Sequence, residues 1–599
     1  MDRKSAIVLL ACFLLLMLWY PAVNHFFPPV PLPKTNTVSR LSPTNHTGVT
    51  APTAASNETV IASNRGASNL PPMQVEGPEQ LVVLENENAI YTFTSIGGGL
   101  KSVALKHYAA NVTCDKKQRA ASTNYATLNS PAPVAAFALV GPNGLLAKSG
   151  FQLTRDGDSV RAEYAGSNGL RIVKEYRLGT NYLLQAHVRL ENQSNEPLPI
   201  PALEWVIGAA TPIGRRDETL SLGSHWYNGR SDYTVNQAWF ANRTFGCLPG
   251  TTRDIYLAGE SNVVWAAVNN QFFTMIAEPK QPAPQIVSRR VDLPAPSLKE
   301  LEANPKWFAH PFGYQTALLY PAVQLSPGQN VQRDYQLYAG PKKYNTLSRL
   351  GANEDLVMGF GGFFGFFAKA LLLSMNGLAA LGISYGLTII VITVVIKLLF
   401  WPLTQASTQS MKRMQALQPQ MKALQEKYKD DPKKMQMKLM EFMKENKVSP
   451  LGGCLPMLLQ IPVFLGFYRM LQSAIELRGA SFLWACDLSQ PDTVAMLPGL
   501  NFPINPLPLL MGVTMLWQSS LTPPSPGVDP MQQKMMRYMP LMFMVFLYNF
   551  SAGLTLYWTV QNLLTIAQMK LTKASGGAPG AGPPATPGGP RQMPPKKKF

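Results

Sequence analysis

"IIVITVVIKLLFWPL" (residues 389–403) decides how the chain is read, because Lys397 stands inside an otherwise apolar run. The stretch from Ile389 to Ile396 is broken only by Thr393, and six more apolar residues follow the lysine. An ionisable side chain at membrane depth is costly and marks a functional site by default. The plainer alternative is a lysine that stretches to the nearest interface. Polarity resumes at Gln405, eight residues on, or about 12 Å along a helix. A lysine stem covers roughly half of that, so stretching alone leaves the ammonium short of clear water unless the bilayer thins. The apolar segments offer it no Asp or Glu; they offer Thr388, Thr393, Gln460, Thr514, Gln561 and Asn562. An unpaired cation among neutral polar groups points to a wet pocket between helices.

Outward from Lys397 the chain divides in two. Its mean hydropathy is near zero over 599 residues, yet residues 79–345 read as a water-soluble domain and 378–569 alternate between apolar spans and basic loops. From Lys397 onward there are 21 Lys+Arg against 9 Asp+Glu, whereas the preceding residues carry 32 against 26. The excess of the net +18 therefore lies in the membrane half, where basic loops mark the cytoplasmic side. No aromatic-basic platform or helix-turn-helix pattern favours nucleic acid instead. Residues 404–450, with ten Lys+Arg and five acids, read as cytoplasmic; residues 473–492, with one Arg against three acids, read as external. Segment 522–538 and the tail ending "PPKKKF" are basic and return to the cytoplasm.

The spans are 378–403 (with Lys397), 451–472, 507–521 and a hairpin over 539–569, joined on the outside by loop 473–506. Several are short: fifteen helical residues cover about 22 Å against roughly 30 Å of hydrocarbon. At the N-terminus, Arg3 and Lys4 precede an apolar run ending in Trp19 and Tyr20, which reads as an uncleaved anchor over 1–27. Residues 28–76, rich in Pro, Thr, Ser and Asn, read as a disordered tether. With both termini inside, the soluble domain lies outside and all six spans fit.

Over 77–345 the periodicity is two. In "NYLLQAHVRLENQ", Tyr182, Leu184, Ala186, Val188 and Leu190 take one face, and Gln185, His187, Arg189 and Glu191 the other. Short strands with turn signals between them predict a large antiparallel β-sandwich. His107, His187, His225 and His310 fall here without a nucleophile or metal-ligand spacing beside them, so they read as ordinary surface or core residues. Cys114 and Cys247 are candidates for a pair in an extracytoplasmic domain; the sequence leaves that open. No cysteine spacing suggests a metal, and neither metal nor cofactor is expected. The Phe- and Gly-rich segment 355–375 reads as an amphipathic helix lying in the membrane interface.

Loop 404–450 reads as a helical hairpin. Met411, Met414, Leu417, Met421, Leu424 and Tyr428 form one apolar stripe, and Met435, Leu439 and Phe442 another. Between them Asp431 is an N-cap and Pro432 the first helical residue. Packing within the hairpin accounts for most of these residues. Of the 26 methionines, 19 fall between Met411 and Met569, however, and such soft side chains suit surfaces that accept varied apolar partners.

"SPLGGCLPMLLQIPVFLGFYRML" (449–471), "LMGVTM" (510–515), "DPMQQKMMRYMP" (529–540) and "SAGLTLYWTVQNLLTIAQ" (551–568) closely resemble the YidC membrane protein insertases, kin of the mitochondrial Oxa and chloroplast Albino proteins. The likeness is dense over 355–572 and looser over the sandwich, whose presence resembles the Gram-negative branch. It implies a polytopic α-helical protein of the bacterial inner membrane, an N-terminal anchor plus a five-helix core bundle, with a periplasmic β-sandwich. It also implies a hydrophilic groove open to cytoplasm and lipid. The family's groove charge, usually arginine, falls on Lys397, which lacks the planar fork for bidentate grip on a carboxylate. Thr393, Gln460 and Phe464 match groove positions; Trp558 stands where tyrosine is common, beside Tyr557. The tail 570–599, with Lys596, Lys597 and Lys598, resembles tails that touch ribosomes or anionic surfaces. Implied partners are nascent membrane proteins, the Sec translocon, the ribosome, signal recognition particle machinery and anionic lipids.

The insertase so implied is not an enzyme and uses no nucleotide; no G-x-x-x-x-G-K-[ST] occurs. A rival is a polytopic transporter with an external sugar-binding domain, which would need intramembrane carboxylates or histidines for a proton relay. A second rival makes the sandwich a glycan-processing enzyme merely tethered by helices.

Overall fold

The computed structural model describes residues 78–574 apart from 115–116, 118–123, 131, 145, 214–220, 244–249, 296–310, 447–454, 498–501 and 522–529. The anchor expected over 1–27, the tether over 28–76 and the tail lysines Lys596, Lys597 and Lys598 lie outside the described residues. The chain forms two compact units. Of the described residues, one unit holds those up to Tyr385 together with Pro462–Gln490; the other holds Gly386–Ile461 and those from Pro491 on.

Alternation builds the first unit. In the strand Leu183–Asn192 the residues Leu184, Ala186, Val188 and Leu190 are buried, while Gln185 and His187 are exposed. This strand is one of nine in an antiparallel sheet, and a five-stranded sheet packs against that sheet's face. A four-stranded sheet spans residues 81–128. Ser224 of the larger sheet exchanges hydroxyl hydrogen bonds with Ser288 and Thr316 of the five-stranded one, so the polar groups buried between the sheets satisfy one another. Lys174 is likewise buried but partnered: its ammonium donates to Gly97 O at 2.7 Å and Phe137 O at 2.8 Å, with the Phe151 ring 4.5 Å away. His225 and His187 each meet an aspartate, Asp232 at 2.9 Å and Asp334 at 2.8 Å, as structural histidines do.

Two expectations change here. Cys114 is joined to Cys486, not to Cys247; the loop after residue 473 folds onto the end of strand Gly99–Ala109, where Arg478 Nη2 donates to Ala110 O, while Cys247 lies outside the described residues. The interfacial helix expected over 355–375 is helix α1, Gly362–Ala380, preceded by a 3-10 turn over Glu354–Met358. Gly359 and Gly362, at φ +72° and +70°, hold left-handed backbone that blocks an earlier start. Helix α1 is long and apolar enough to cross a membrane; the next, α2 (Tyr385–Leu399), is apolar but shorter. The break at Leu381–Ser384 thus falls inside the span expected over 378–403.

Helices α3 (Trp401–Ala416), α4 (Gln418–Lys427) and α5 (Pro432–Glu445) follow. Asp431 caps α5 by accepting from Lys434 N at 3.0 Å, as the "DDP" turn predicts. Helix α6 runs Leu455–Ser473, α7 Pro506–Leu521, α8 Pro530–Phe546 and α9 Ala552–Ala574. Within the first unit, the C-terminal half of α6 lies tightly against α1. A Cβ on Gly466 would stand 2.7 Å from Phe367 Cβ, so only glycine permits that approach. Arg469 also donates to Gly361 O at 3.3 Å.

Glu354 is a buried carboxyl at the foot of the sandwich, accepting from Ala352 N at 2.9 Å. Burial, aided by the nearby charge of Glu278, pushes it up to about 7. The native state therefore holds a proton that the unfolded chain has released between pH 4.5, the ordinary carboxyl value, and about 7. Stability from this group is fully present below pH 4.5 and lost as pH rises to 7. Glu354→Gln is expected to flatten that slope and to leave the variant more stable than wild type at pH 8, by up to roughly 3 kcal/mol. Thermal midpoints measured from pH 5 to 8 check this.

Candidate functional site

Helix α9 carries a polar stripe. Tyr557, Gln561, Thr565 and Gln568 recur at spacings of four, four and three, which puts them on one helical face. Their partners come from three other helices. Gln460 of α6 donates through Nε2 to the Tyr557 hydroxyl at 2.9 Å, and its Oε1 accepts from Gln561 Nε2 at 2.9 Å. Lys397 of α2 donates to Thr565 Oγ1 at 2.8 Å, and Thr565 donates onward to Gln561 O at 2.7 Å. Gln568 Nε2 donates to Thr404 Oγ1 of α3 at 2.7 Å. Beside the stripe, Asn562 Nδ2 donates to Thr514 Oγ1 of α7 at 3.2 Å. Nothing in this seam is acidic.

The arrangement follows from burial. Lys397 is only 6% exposed and Tyr557 2%, so each polar atom here must find a partner or bear its desolvation. An ammonium has three N–H donors, and Thr565 takes one. A neutral hydroxyl receives it. On α2 itself, the buried Thr388 hydroxyl has no hydrogen-bond partner.

The structure gathers Lys397, Gln460 and Tyr557 into one network. Thr393, two helical turns from Thr388's end of α2, is buried and donates to Ile389 O at 2.6 Å within its own helix; its lone pairs alone remain for another group. Trp558 is half-buried and tilted against Phe543, with centroids 6.1 Å apart. Phe464 belongs to the other unit, where it stacks on Tyr468 at 6.4 Å. Sequence reasoning missed Thr565, Thr404 and Gln568. The signal for Thr565 and Gln568 was the continuation of the Tyr557–Gln561 spacing along α9; Thr404, on α3, had none. In contrast, α8 presents Met535, Tyr538, Met542, Val545 and Phe546 to its surroundings, an apolar exterior suited to lipid.

Two family models match the chain, "60Kd inner membrane protein" over residues 377–576 and "YidC periplasmic domain" over 81–373. A relative from Syntrophus aciditrophicus, named membrane protein insertase YidC, is 30% identical over 579 residues, covering 95% of this chain and 98% of its own. One of the same name from Pelobacter propionicus is 46% identical over 250 residues, which span 41% of this chain and 46% of that relative. A crystal structure of an active YidC insertase shares 18% identity at a TM-score of 0.33, covering 83% of this chain and 94% of that one. The matches run through both the soluble domain and the helical half, and the chain belongs to the YidC family of membrane protein insertases.

Proposed function

We propose that the seam on α9 is the surface on which this insertase receives the polar flank of a nascent membrane protein. Lys397 attracts acidic flanks, Gln460 and Gln561 exchange their mutual hydrogen bond for one to exposed client backbone, and Thr393 accepts from it. Each unpaired polar group in hydrocarbon costs several kcal/mol, so a few such exchanges shorten the unfavourable path. Membrane potential adds roughly 2.3 kcal/mol per charge per 100 mV, which hinders acidic tails less than basic ones. Phe464 and Trp558 guide the apolar segment, which leaves sideways past the Met-rich exterior of α8.

The observation that carries this reading is the hydrogen bond from Lys397 to Thr565. A buried ammonium on a neutral hydroxyl, in helices whose sequences hold no Asp or Glu, keeps its charge uncompensated and its two other donors for an incoming carboxylate. A proton-coupled transporter would place acids there. The arrangement of the spans is proposed as both termini in the cytoplasm, the loops around α4–α5 and 522–538 on that side, and the sandwich with loop 473–506 in the periplasm. The disulfide supports this, since it requires Cys114 and Cys486 in one oxidising compartment. A five-helix core with a cytoplasmic hairpin, assistance by the Sec translocon, and contacts of the basic loops and tail with ribosome, signal recognition particle machinery and anionic lipids complete the proposal.

In a reconstituted insertion assay with an acidic-flanked client, Lys397→Glu is expected to slow insertion about tenfold or more, or 1.4 kcal/mol. Lys397→Arg should stay near wild type and Lys397→Ala fall between. Equal insertion by Lys397→Glu would remove the electrostatic role. Thr565→Val deletes one hydrogen bond worth about 1 kcal/mol and is expected to slow insertion about fivefold.

Photocrosslinkers placed at Thr393, Phe464 and Trp558 should each capture a stalled nascent chain, while one at exposed Leu257 of the sandwich should not. Capture at Leu257 alone would move the client path away from the seam.

A further inference from the structure

The disulfide between Cys114 and Cys486 joins residues 372 apart, with Cα atoms 5.0 Å from one another. Cys114 lies just beyond the strand Gly99–Ala109, and Cys486 in the loop that follows α6. Around the bond the loop is built to hold its shape. Phe482 and Ala485 exchange backbone hydrogen bonds at 2.8 and 2.9 Å. Asp487 Oδ1 accepts from Gly479 N at 3.0 Å and from Ser489 N and Oγ at 2.9 and 2.7 Å. Two further ties reach the sandwich: Arg478 Nη2 donates to Ala110 O at 3.0 Å, and its guanidinium sits 5.3 Å from the Phe273 ring centroid. One more reaches α1, where Asn376 Nδ2 donates to Glu476 at 3.2 Å.

This loop continues directly from α6, the helix that carries Gln460. Pro462 lies inside α6 and removes one backbone hydrogen bond just past Gln460, so the helix's own ladder is weakest there. The outward end of α6 must then be positioned by what holds its loop. Non-covalent contacts supply part of that; the disulfide supplies the part that a redox change can remove.

We propose that Cys114–Cys486 is a redox-closed latch by which the periplasmic sandwich holds the outward end of α6, and that its partner is a disulfide-donating thiol oxidoreductase of that compartment. Cys114 is exposed and Cys486 half-buried, so Cys114 is the sulfur the donor reaches. Its thiolate attacks a sulfur of the donor's disulfide, forming a mixed disulfide and releasing one donor thiolate. The Cys486 thiolate then attacks Cys114 Sγ, closing the latch and releasing the second donor thiolate. Two electrons and two protons pass from the two thiols of this chain to the donor, which leaves as a dithiol. The latch rests on the proposed topology, but its failure and that of the seam are separable, because the seam is read by the Lys397 variants.

The test uses the full chain, purified from cells with and without envelope disulfide-forming activity, after alkylation of free thiols. Peptide mapping should find Cys114 linked to Cys486 in the first preparation and both alkylated in the second. In proteoliposomes, a membrane-impermeant phosphine reductant should slow insertion two- to fivefold for wild type. The double variant C114S/C486S should insert at that slower rate and ignore the reductant. Absence of the linked peptide from oxidising cells overturns the latch. So does unchanged insertion of wild type on reduction, or a further loss of the same size when the reductant is added to the double variant. A single variant, Arg478→Met, keeps the proposal testable should the double variant fold poorly: it should deepen the loss on reduction, and an unchanged loss counts against the latch.

Discussion

An ammonium group held inside apolar helices by a threonine hydroxyl is the constraint around which the helical half is arranged. A carboxylate at position 565 would have neutralised Lys397 and closed the matter. A neutral partner leaves the charge uncompensated while removing part of its desolvation, which is tolerable only if neighbouring polar groups extend the network. They do: Gln561, Gln460 and Tyr557 continue it along α9, and Gln568 with Thr404 adds a further rung. The seam is polar without being ionic. Such groups can exchange partners at small net cost, because each bond given up is replaced by one of similar strength.

The other unit works by the opposite principle. Some of its most deeply buried polar side chains are closed off by fixed partners, as with Lys174 on two carbonyls or Ser224 between Ser288 and Thr316. Such fully satisfied networks rigidify. Its helical part is equally tight, with Gly466 allowing α6 to approach Phe367. Closed-off polar groups in one unit and a seam of linked amides and hydroxyls around an uncompensated charge in the other thus occur in one chain.

What the sequence discloses follows from the range of the forces involved. The alternation from Tyr182 to Glu191 is legible because one face of that strand is buried. The Asp431–Pro432 start of α5 is legible because a cap is a local event. Lys397 stands out because a charge breaks an apolar run. Thr565 does not stand out, since its partner lies 168 residues away and a threonine in a membrane helix usually bonds its own backbone, as Thr393 does. The cysteine pairing fails for the same reason: Cys247 shares a domain with Cys114, but proximity in space is set by the fold of a loop far downstream. The start of α1 moves because glycines, and not apolar periodicity, govern the backbone at 359–362.

The distance in sequence between the two bonded cysteines has a bearing on how the molecule matures. Cys114 is synthesised long before Cys486, and helices α1 to α6 lie between the two along the chain. Any polypeptide cut short before residue 486 keeps that sulfur unoxidised on a water-facing strand end. The bond therefore records that synthesis has passed residue 486, ahead of α7, α8 and α9, and a chain shorter than that differs chemically at one sulfur.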